Sequence, residues 1–369
     1  MKYFIIAGEA SGDLHGANLM KAIQQKDEQA EFQFWGGDLM HAQANGLLMH
    51  FRQTAIMGFV EVLLKIRTIL GFIAVCKKQI NAYQPDVVIL IDYAGFNLRI
   101  AQFAKQKGYK VVYYIAPKVW AWNEKRAKKL EKYVDELLLI FPFEVEYFKK
   151  WKVKATYVGN PLLDEVNAFK PDATFCEANH IDSKKDIIAL LPGSRKQEIK
   201  TMLPNMMKLA QAYPQYEFVI CAAPSIKPDF YQTFIGANTK IIYNKTYEVL
   251  HLAKAAIVCS GTATLETALF NVPQVCAYVG SPISYFLAKQ FVKIKYVSLV
   301  NINLDKELLK ELIQHDYTLA NLKQEFEAIL PNGNKNDNLM VEYKNLQAIL
   351  NKQGASNNAA QIIIDLVKK

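Results

Sequence analysis

Short runs that are apolar at almost every position alternate with segments of helical period. KYFIIA (2–7), DVVILI (86–91), KVVYYI (110–115) and ELLLI (136–140) are strand-like. Helical patterns run from about Gly12 to Gln24 and from Asn97 to Lys107. Continuous apolar strands separated by helices are the mark of a parallel sheet covered on both faces. The second half repeats the scheme with DIIALL (186–191), EFVICAA (217–223), AAIVCS (255–260) and QVCAYV (274–279). Helices are expected from about Lys196 to Tyr213 and from Ala263 to Phe270, and helical patterns dominate from Ser284 onward. The pattern predicts an α/β protein of two Rossmann-like parallel-sheet domains, 1–165 and 166–369, divided within GNPLLDEVNAFKPD (159–172). Two such domains imply a cleft between them, with ligands at the carboxyl ends of the strands.

The chain has 369 residues, 51% hydrophobic and 21% charged, which excludes collagen, disordered and disulfide-scaffold classes. Its formal charge of +9 is uneven: residues 1–160 hold 22 basic and 15 acidic groups, residues 161–369 hold 22 and 20. A basic first half favours an anionic partner. Only five of the cations are Arg (Arg52, Arg67, Arg99, Arg126 and Arg195), which disfavours nucleic-acid readout. The five cysteines are dispersed and odd in number, against a disulfide framework or a zinc site. The apolar N-terminal run is too short for a signal peptide. The stretch from Met57 to Val75 is interrupted by Glu61, Lys65 and Arg67 and does not read as a membrane span. The expectation is a cytoplasmic protein that touches a membrane only at its surface.

Several strand ends lead into turns suited to chemistry. Gly8-Glu9-Ala10-Ser11-Gly12-Asp13 brings backbone close to a ligand, with acids that suit sugar hydroxyls or proton transfer. The same turn is equally readable as a tight connection with Asp13 matched to its helix dipole. Asp92 ends a buried strand, where a carboxylate can act as general base or bond its own turn. Gly193-Ser194-Arg195 meets a helix start, where a cation opposes the dipole unless an anion is bound. Ser260-Gly261-Thr262 offers N–H and hydroxyl donors for phosphate, and Glu266 one turn later can accept from a ribose. Aromatics and cations gather at 113–129, which reads as core cover, sugar platform or lipid interface. The apolar excess from Met57 to Lys78 reads as a lipid-touching surface or a largely buried helix. No metal-ligand spacing occurs.

Taken in order, AGEASGDLHGA (7–17), MGFVEVL (57–63), DYAGFN (92–97), APKVWAWNEKR (116–126), VGNPLLD (158–164), LPGSRKQEI (191–199), SGTATLE (260–266) and YVSLVNI (296–302) resemble the lipid-A-disaccharide synthase family, over nearly the whole chain. The resemblance implies a GT-B fold and an inverting glycosyl transfer. UDP-2,3-diacylglucosamine would donate its sugar to 2,3-diacylglucosamine 1-phosphate (lipid X), at the inner face of the inner membrane. It implies no cofactor and no metal. A homodimer is compatible with it, and nucleic acid is not a partner. Asp92 would be the general base, with Glu9 next in line, and Arg195 would neutralise the departing diphosphate. Ser11, Gly12, Asp13, Met57, Glu61, Asn97 and Trp120 would bind substrate in the first half. Gly193, Ser194, Ser260, Gly261, Thr262, Glu266, Asn301 and Gln314 would do so in the second. Gly95 stands where many members carry a second Asp, so the weight falls on Asp92. Ala116, Val279 and Lys306 also depart from the common pattern. The rival readings are a UDP-N-acetylglucosamine 2-epimerase, the peptidoglycan N-acetylglucosaminyltransferase, or a basic binding module.

Overall fold

The computed structural model describes residues 1–54, 66–117, 119, 125–182, 184–234, 236, 239–280 and 295–369. Met57, Glu61 and Trp120 lie outside the described residues. Two compact units are present, one of Met1–Pro161 with Lys352–Lys369 and one of Leu162–Asn351. The first holds a seven-stranded sheet ordered β3-β2-β1-β4-β5-β6-β7. Its strands are β1 (Lys2–Ala7), β2 (Glu31–Gly36), β3 (Leu47–His50), β4 (Val87–Ile91), β5 (Lys110–Tyr114), β6 (Glu136–Leu139) and β7 (Ala155–Tyr157). The second holds a six-stranded sheet ordered β10-β9-β8-β11-β12-β13. These are β8 (Ile187–Leu191), β9 (Glu217–Ala222), β10 (Thr239–Tyr243), β11 (Ala253–Cys259), β12 (Gln274–Tyr278) and β13 (Glu311–Ile313). Every pairing in both sheets is parallel.

The all-apolar runs are strands because both sheet faces are covered. Along β1, Phe4 and Ile6 enter a core that also holds Ile73, Cys76 and Ile80 of the helix Ile66–Tyr83 and Ile100, Ala101 and Ala104 of the helix Ala94–Gln106. Tyr3, Ile5 and Ala7 enter the opposite core, with Ala17 and Met20 of the helix Ala10–Gln24. Successive strand residues point to opposite faces, so one continuous apolar run serves two cores.

The final helix, Ala355–Lys368, corrects the expected division at 165. Its Ala359, Ala360 and Ile363 are buried in the same core as Ala17 and Met20 of the first unit. Asn358 Nδ2 donates to the carbonyl of Val158 at 2.8 Å, which ties the returning chain to the end of the first sheet. Gly159 permits the crossing: a Cβ there would stand 2.3 Å from the carbonyl oxygen of Lys352, at a φ of +108°.

Candidate functional site

In each unit most of the candidate residues follow the two central strands of the sheet, where the connections leave in opposite directions. That is the switch point at which parallel sheets open a crevice for ligands. In the first unit Ala7 of β1 is in register with Ile91 of β4, so the turns beginning at Gly8 and Asp92 are neighbours. They touch: a Cβ on Gly8 would lie 2.4 Å from the Tyr93 ring, so only glycine fits beneath it. Asp92 and Tyr93 are both left-handed, with φ of 43° and 49°. Two successive non-glycine residues in this region cost about 1–3 kcal/mol each, and the surroundings must hold them there. The side-chain amide of Asn97 does so, donating to the carbonyls of Ile91 at 3.1 Å and Asp92 at 2.9 Å. The buried Tyr113 hydroxyl also donates to the Asp92 carbonyl, and the Asp92 N–H donates to Tyr114 at 3.3 Å. The result is an exposed Asp92 side chain on a rigidly held turn, with the Glu9 and Ser11 side chains also exposed next to it.

Three expected substrate contacts in this unit serve the backbone instead. Asn97 is fully buried and positions the Asp92 turn from within. Asp13 is 3% exposed, and its carboxylate accepts from the N–H groups of Gly37, Leu39 and Met40 at 2.6, 3.0 and 3.1 Å. It caps the short helix Asp38–His41 from outside that helix. Gly12 is buried against Ala7 and seats the first helix on β1. Tyr113 stands among the aromatics of 113–129 in the sequence reading, but its donation to the Asp92 carbonyl escaped it, because only the pairing of β4 with β5 brings them together.

In the second unit β8 and β11 are central, with Leu191 in register with Val258. Gly193 has a φ of +115° and leads to Arg195, which begins the helix Lys196–Ala212. Glu198, unmentioned by the sequence reading, reaches back over this turn. Its Oε2 accepts from the N–H of Ser194 at 3.0 Å and of Arg195 at 3.2 Å, and its Oε1 meets the Arg195 guanidinium at 3.3 Å. This is the acidic half of a capping box, and it satisfies donors at the helix N-terminus. Two of the N–H groups expected to meet a diphosphate therefore hold a carboxylate in the free protein. The Arg195 side chain stays 68% exposed.

The adjacent turn, Ser260-Gly261, leads into the helix Thr262–Leu269. Thr262 is exposed at the first helical position, whereas the Ser260 hydroxyl donates to the carbonyl of Val297 at 3.2 Å. Glu266 is half-buried in a cluster that sequence spacing could not show. The Tyr247 hydroxyl lies 3.0 Å from Glu266 Oε1 and 3.3 Å from Glu165 Oε2. One phenolic proton cannot serve both carboxylates at once. Burial raises the pKa of Glu266, Tyr247 opposes the rise, and the Glu165 charge adds to it. Burial likewise raises that of Glu165.

Asn301 is turned into the second unit. It is fully buried, its Nδ2 donates to Leu309 O at 2.8 Å and Glu311 at 3.0 Å, and its Oδ1 accepts from the N–H groups of Leu308 and Leu309. Every hydrogen-bonding position of that amide is internal. Gln314 directly follows β13, with its amide 3.4 Å from the carbonyl of Gly280, beside the exit of β12. Among the described residues no group of three or more His, Cys, Asp or Glu side chains converges on a metal-sized site. Nor is any described helix long and apolar enough to cross a membrane.

Comparison with known proteins adds the following. A family model described as lipid-A-disaccharide synthetase matches residues 3–365. The chain is 34% identical over 367 residues to a lipid-A-disaccharide synthase of Coxiella burnetii, covering 98% of both chains. It is 33% identical over 375 residues to that of Geobacter metallireducens, covering 100% of this chain and 98% of the relative. Among solved structures, a UDP-GlcNAc 2-epimerase from Neisseria meningitidis bound to UDP-GlcNAc superposes with a TM-score of 0.66 at 13% identity, covering 100% of both chains. The calicheamicin glycosyltransferase CalG4 superposes with 0.65 at 12% identity, covering 100% of this chain and 98% of that one. Both share the two-sheet α/β architecture of the GT-B fold.

Proposed function

The chain belongs to the lipid-A-disaccharide synthase family, and we propose that it transfers the diacylglucosaminyl group of UDP-2,3-diacylglucosamine to the 6-hydroxyl of 2,3-diacylglucosamine 1-phosphate. The observation that carries the assignment of roles is the split between the two switch points. The first unit offers exposed carboxylates at Asp92 and Glu9, and the second offers Arg195 and a helix N-terminus. Proton abstraction needs a base, and a departing diphosphate needs donors and positive charge. In this reading the Asp92 carboxylate takes the proton of the acceptor hydroxyl. The freed oxygen attacks the anomeric carbon from the face opposite UDP. The carbon–oxygen bond to the diphosphate breaks, its electron pair leaves with UDP, and the sugar carbon inverts.

Arg195 and the N-terminus of its helix take up the charge of the leaving group, and the diphosphate competes with Glu198 for them. Gly193 and Gly261 let the backbone come close, and Thr262 adds an exposed hydroxyl. Glu266 accepts from the ribose hydroxyls, and Gln314 lies at the neighbouring strand end. Asn97 and Tyr113 act one step back, as positioning residues, and Asp13 holds the fold around residues 37–40.

The lipid substrates require access from a membrane surface. On the helix Ile66–Tyr83, Leu70 and Val75 are 53% and 42% exposed. That fits peripheral contact with the inner membrane. The epimerase reading is not favoured, because the likeness to epimerases is of fold at 13% identity, against 34% identity to a synthase over nearly the whole chain.

The test is UDP release from UDP-2,3-diacylglucosamine in detergent, with and without lipid X and with EDTA. Release that requires lipid X and persists in EDTA is expected. Release without lipid X would indicate a hydrolase. Turnover of UDP-N-acetylglucosamine alone would move the protein to the epimerase class.

A further inference from the structure

Beside the Asp92 turn the first unit opens a cavity of about 320 Å³. Three cations line it: Arg99 from the helix Ala94–Gln106, and Arg126 and Lys129 from the helix Lys125–Tyr133. No carboxylate is among its described lining residues. Neither Arg99 nor Lys129 is ion-paired with an acid among the described residues. Burial lowers the pKa of the Arg126 guanidinium, Tyr113 opposes the fall, and the Arg99 charge adds to it. Arg126 is half-buried, and Arg99 and Lys129 are exposed at the rim; like charges gathered around one cavity repel, and an anion between them reverses the sign. The first turn of the helix Ala94–Gln106, which also lines the cavity, adds partial positive charge.

We propose that this cavity is the subsite for the phosphate monoester of the glycolipid acceptor, held by Arg99, Arg126 and Lys129. The proposal rests on the transfer reading above and names a contact which that reading leaves open. A phosphate monoester is close to a dianion at neutral pH, and guanidinium forks match its oxygens. Ile69, Phe96 and Leu98 give the cavity an apolar wall, which suits a sugar phosphate attached to lipid. Tyr93 and Ala94 line the cavity and directly follow Asp92 in the chain. A phosphate held here keeps the acceptor sugar over the turn that carries the base.

The test compares two acceptors, lipid X and the same diacylglucosamine without its phosphate. Arg99→Gln and Arg126→Gln are expected to raise the KM for lipid X about 10-fold or more, the usual scale for losing one charge-assisted contact. The KM for the UDP donor stays at the wild-type value. With the dephosphorylated acceptor the variants and the wild type coincide. Lys129→Gln gives an independent route at an exposed position on the other helix, and it too is expected to weaken lipid X selectively.

The proposal is overturned if the variants weaken both acceptors equally. It is also overturned if they leave the lipid X KM unchanged while reducing binding to phosphatidylglycerol vesicles, since the cations would then serve a membrane headgroup. Wild-type turnover of lipid X separates the two levels. Its absence defeats the transfer reading and this site together, whereas wild-type turnover with unaltered variants defeats this site alone.

Discussion

The first sheet has β1 and β4 at its centre, and the second has β8 and β11. β4 and β8 are buried throughout and β1 and β11 are buried beyond their first residues, and each of the four ends in a turn that starts a helix. From the centre outward the orders are the same, β1-β2-β3 and β4-β5-β6 against β8-β9-β10 and β11-β12-β13. The turns differ. Those of the first unit expose Glu9 and Asp92, and those of the second expose Arg195 and Thr262. Equal topology with opposite charge shows that the strand pattern supplies the position of a site and the turn residues supply its chemistry.

The sharpest way to break the comparison is at Asp92. Asp92→Asn keeps the size of the side chain but cannot accept a proton. Turnover is expected to fall by about 10²–10⁴-fold, the range for a lost general base, as read by initial rates of UDP release. A decline of under tenfold would move the role to Glu9. Arg195→Gln is next, with a loss of about 10²-fold expected for one removed donor to a leaving group. Unchanged circular dichroism would show that the variant stays folded.

Asp13→Ala separates structure from chemistry within the first unit. It strands three backbone N–H groups. We expect a loss of about 3 kcal/mol in urea unfolding, given that bonds to a charged acceptor are worth about 1.5–3 kcal/mol each and are not additive. The folded fraction should keep most of its activity.

Smaller effects sharpen the second unit. Glu198→Gln keeps an N-terminal capping oxygen but removes the charge that competes with a diphosphate. Calorimetry should show UDP binding tightened roughly threefold, the scale of a pair at a largely exposed side chain. Glu165→Gln removes the charge that helps raise the Glu266 pKa. A carboxyl with a raised pKa takes up its proton at higher pH than usual, so it loses its power to accept from a ribose early as pH falls. In Glu165→Gln that acid limb of UDP binding should move to lower pH, measured by titration across the carboxylate range. The same sign governs stability. The buried carboxyls favour the folded state most when protonated, so their contribution declines as pH rises through the raised values.

The central strands were legible because a run such as DVVILI can only be buried on both sides. β3, β7, β10 and β13 were not, since they are short, partly polar and only half-buried along much of their length. β2, EFQFWG, was obscured by its alternating polar residues. The docking of the last helix on the first unit was invisible as well. Its apolar stripe shows that it packs, not on which unit. The turns were found as turns, but spacing did not separate residues that face solvent from those that serve the backbone. Asp13, Asn97 and Asn301 carry the same groups as a ligand-binding residue, and only burial and their backbone partners show otherwise. Glu198 lies within a motif already singled out, and the signal that could have identified it was an acid in the first turn of the helix expected to begin near Lys196. Glu165 and Tyr247 had no such signal, since 82 residues separate them.

The division of labour between the two switch points is tested most directly by UDP affinity in two single variants, measured side by side by isothermal titration calorimetry. Arg195→Gln should weaken UDP by about tenfold or more, as expected for a lost charge-assisted contact, and Asp92→Asn should leave UDP affinity at the wild-type value. If Asp92→Asn weakens UDP as much as it slows turnover, or if Arg195→Gln leaves UDP binding unchanged, the acids and the donors have been assigned to the wrong tasks.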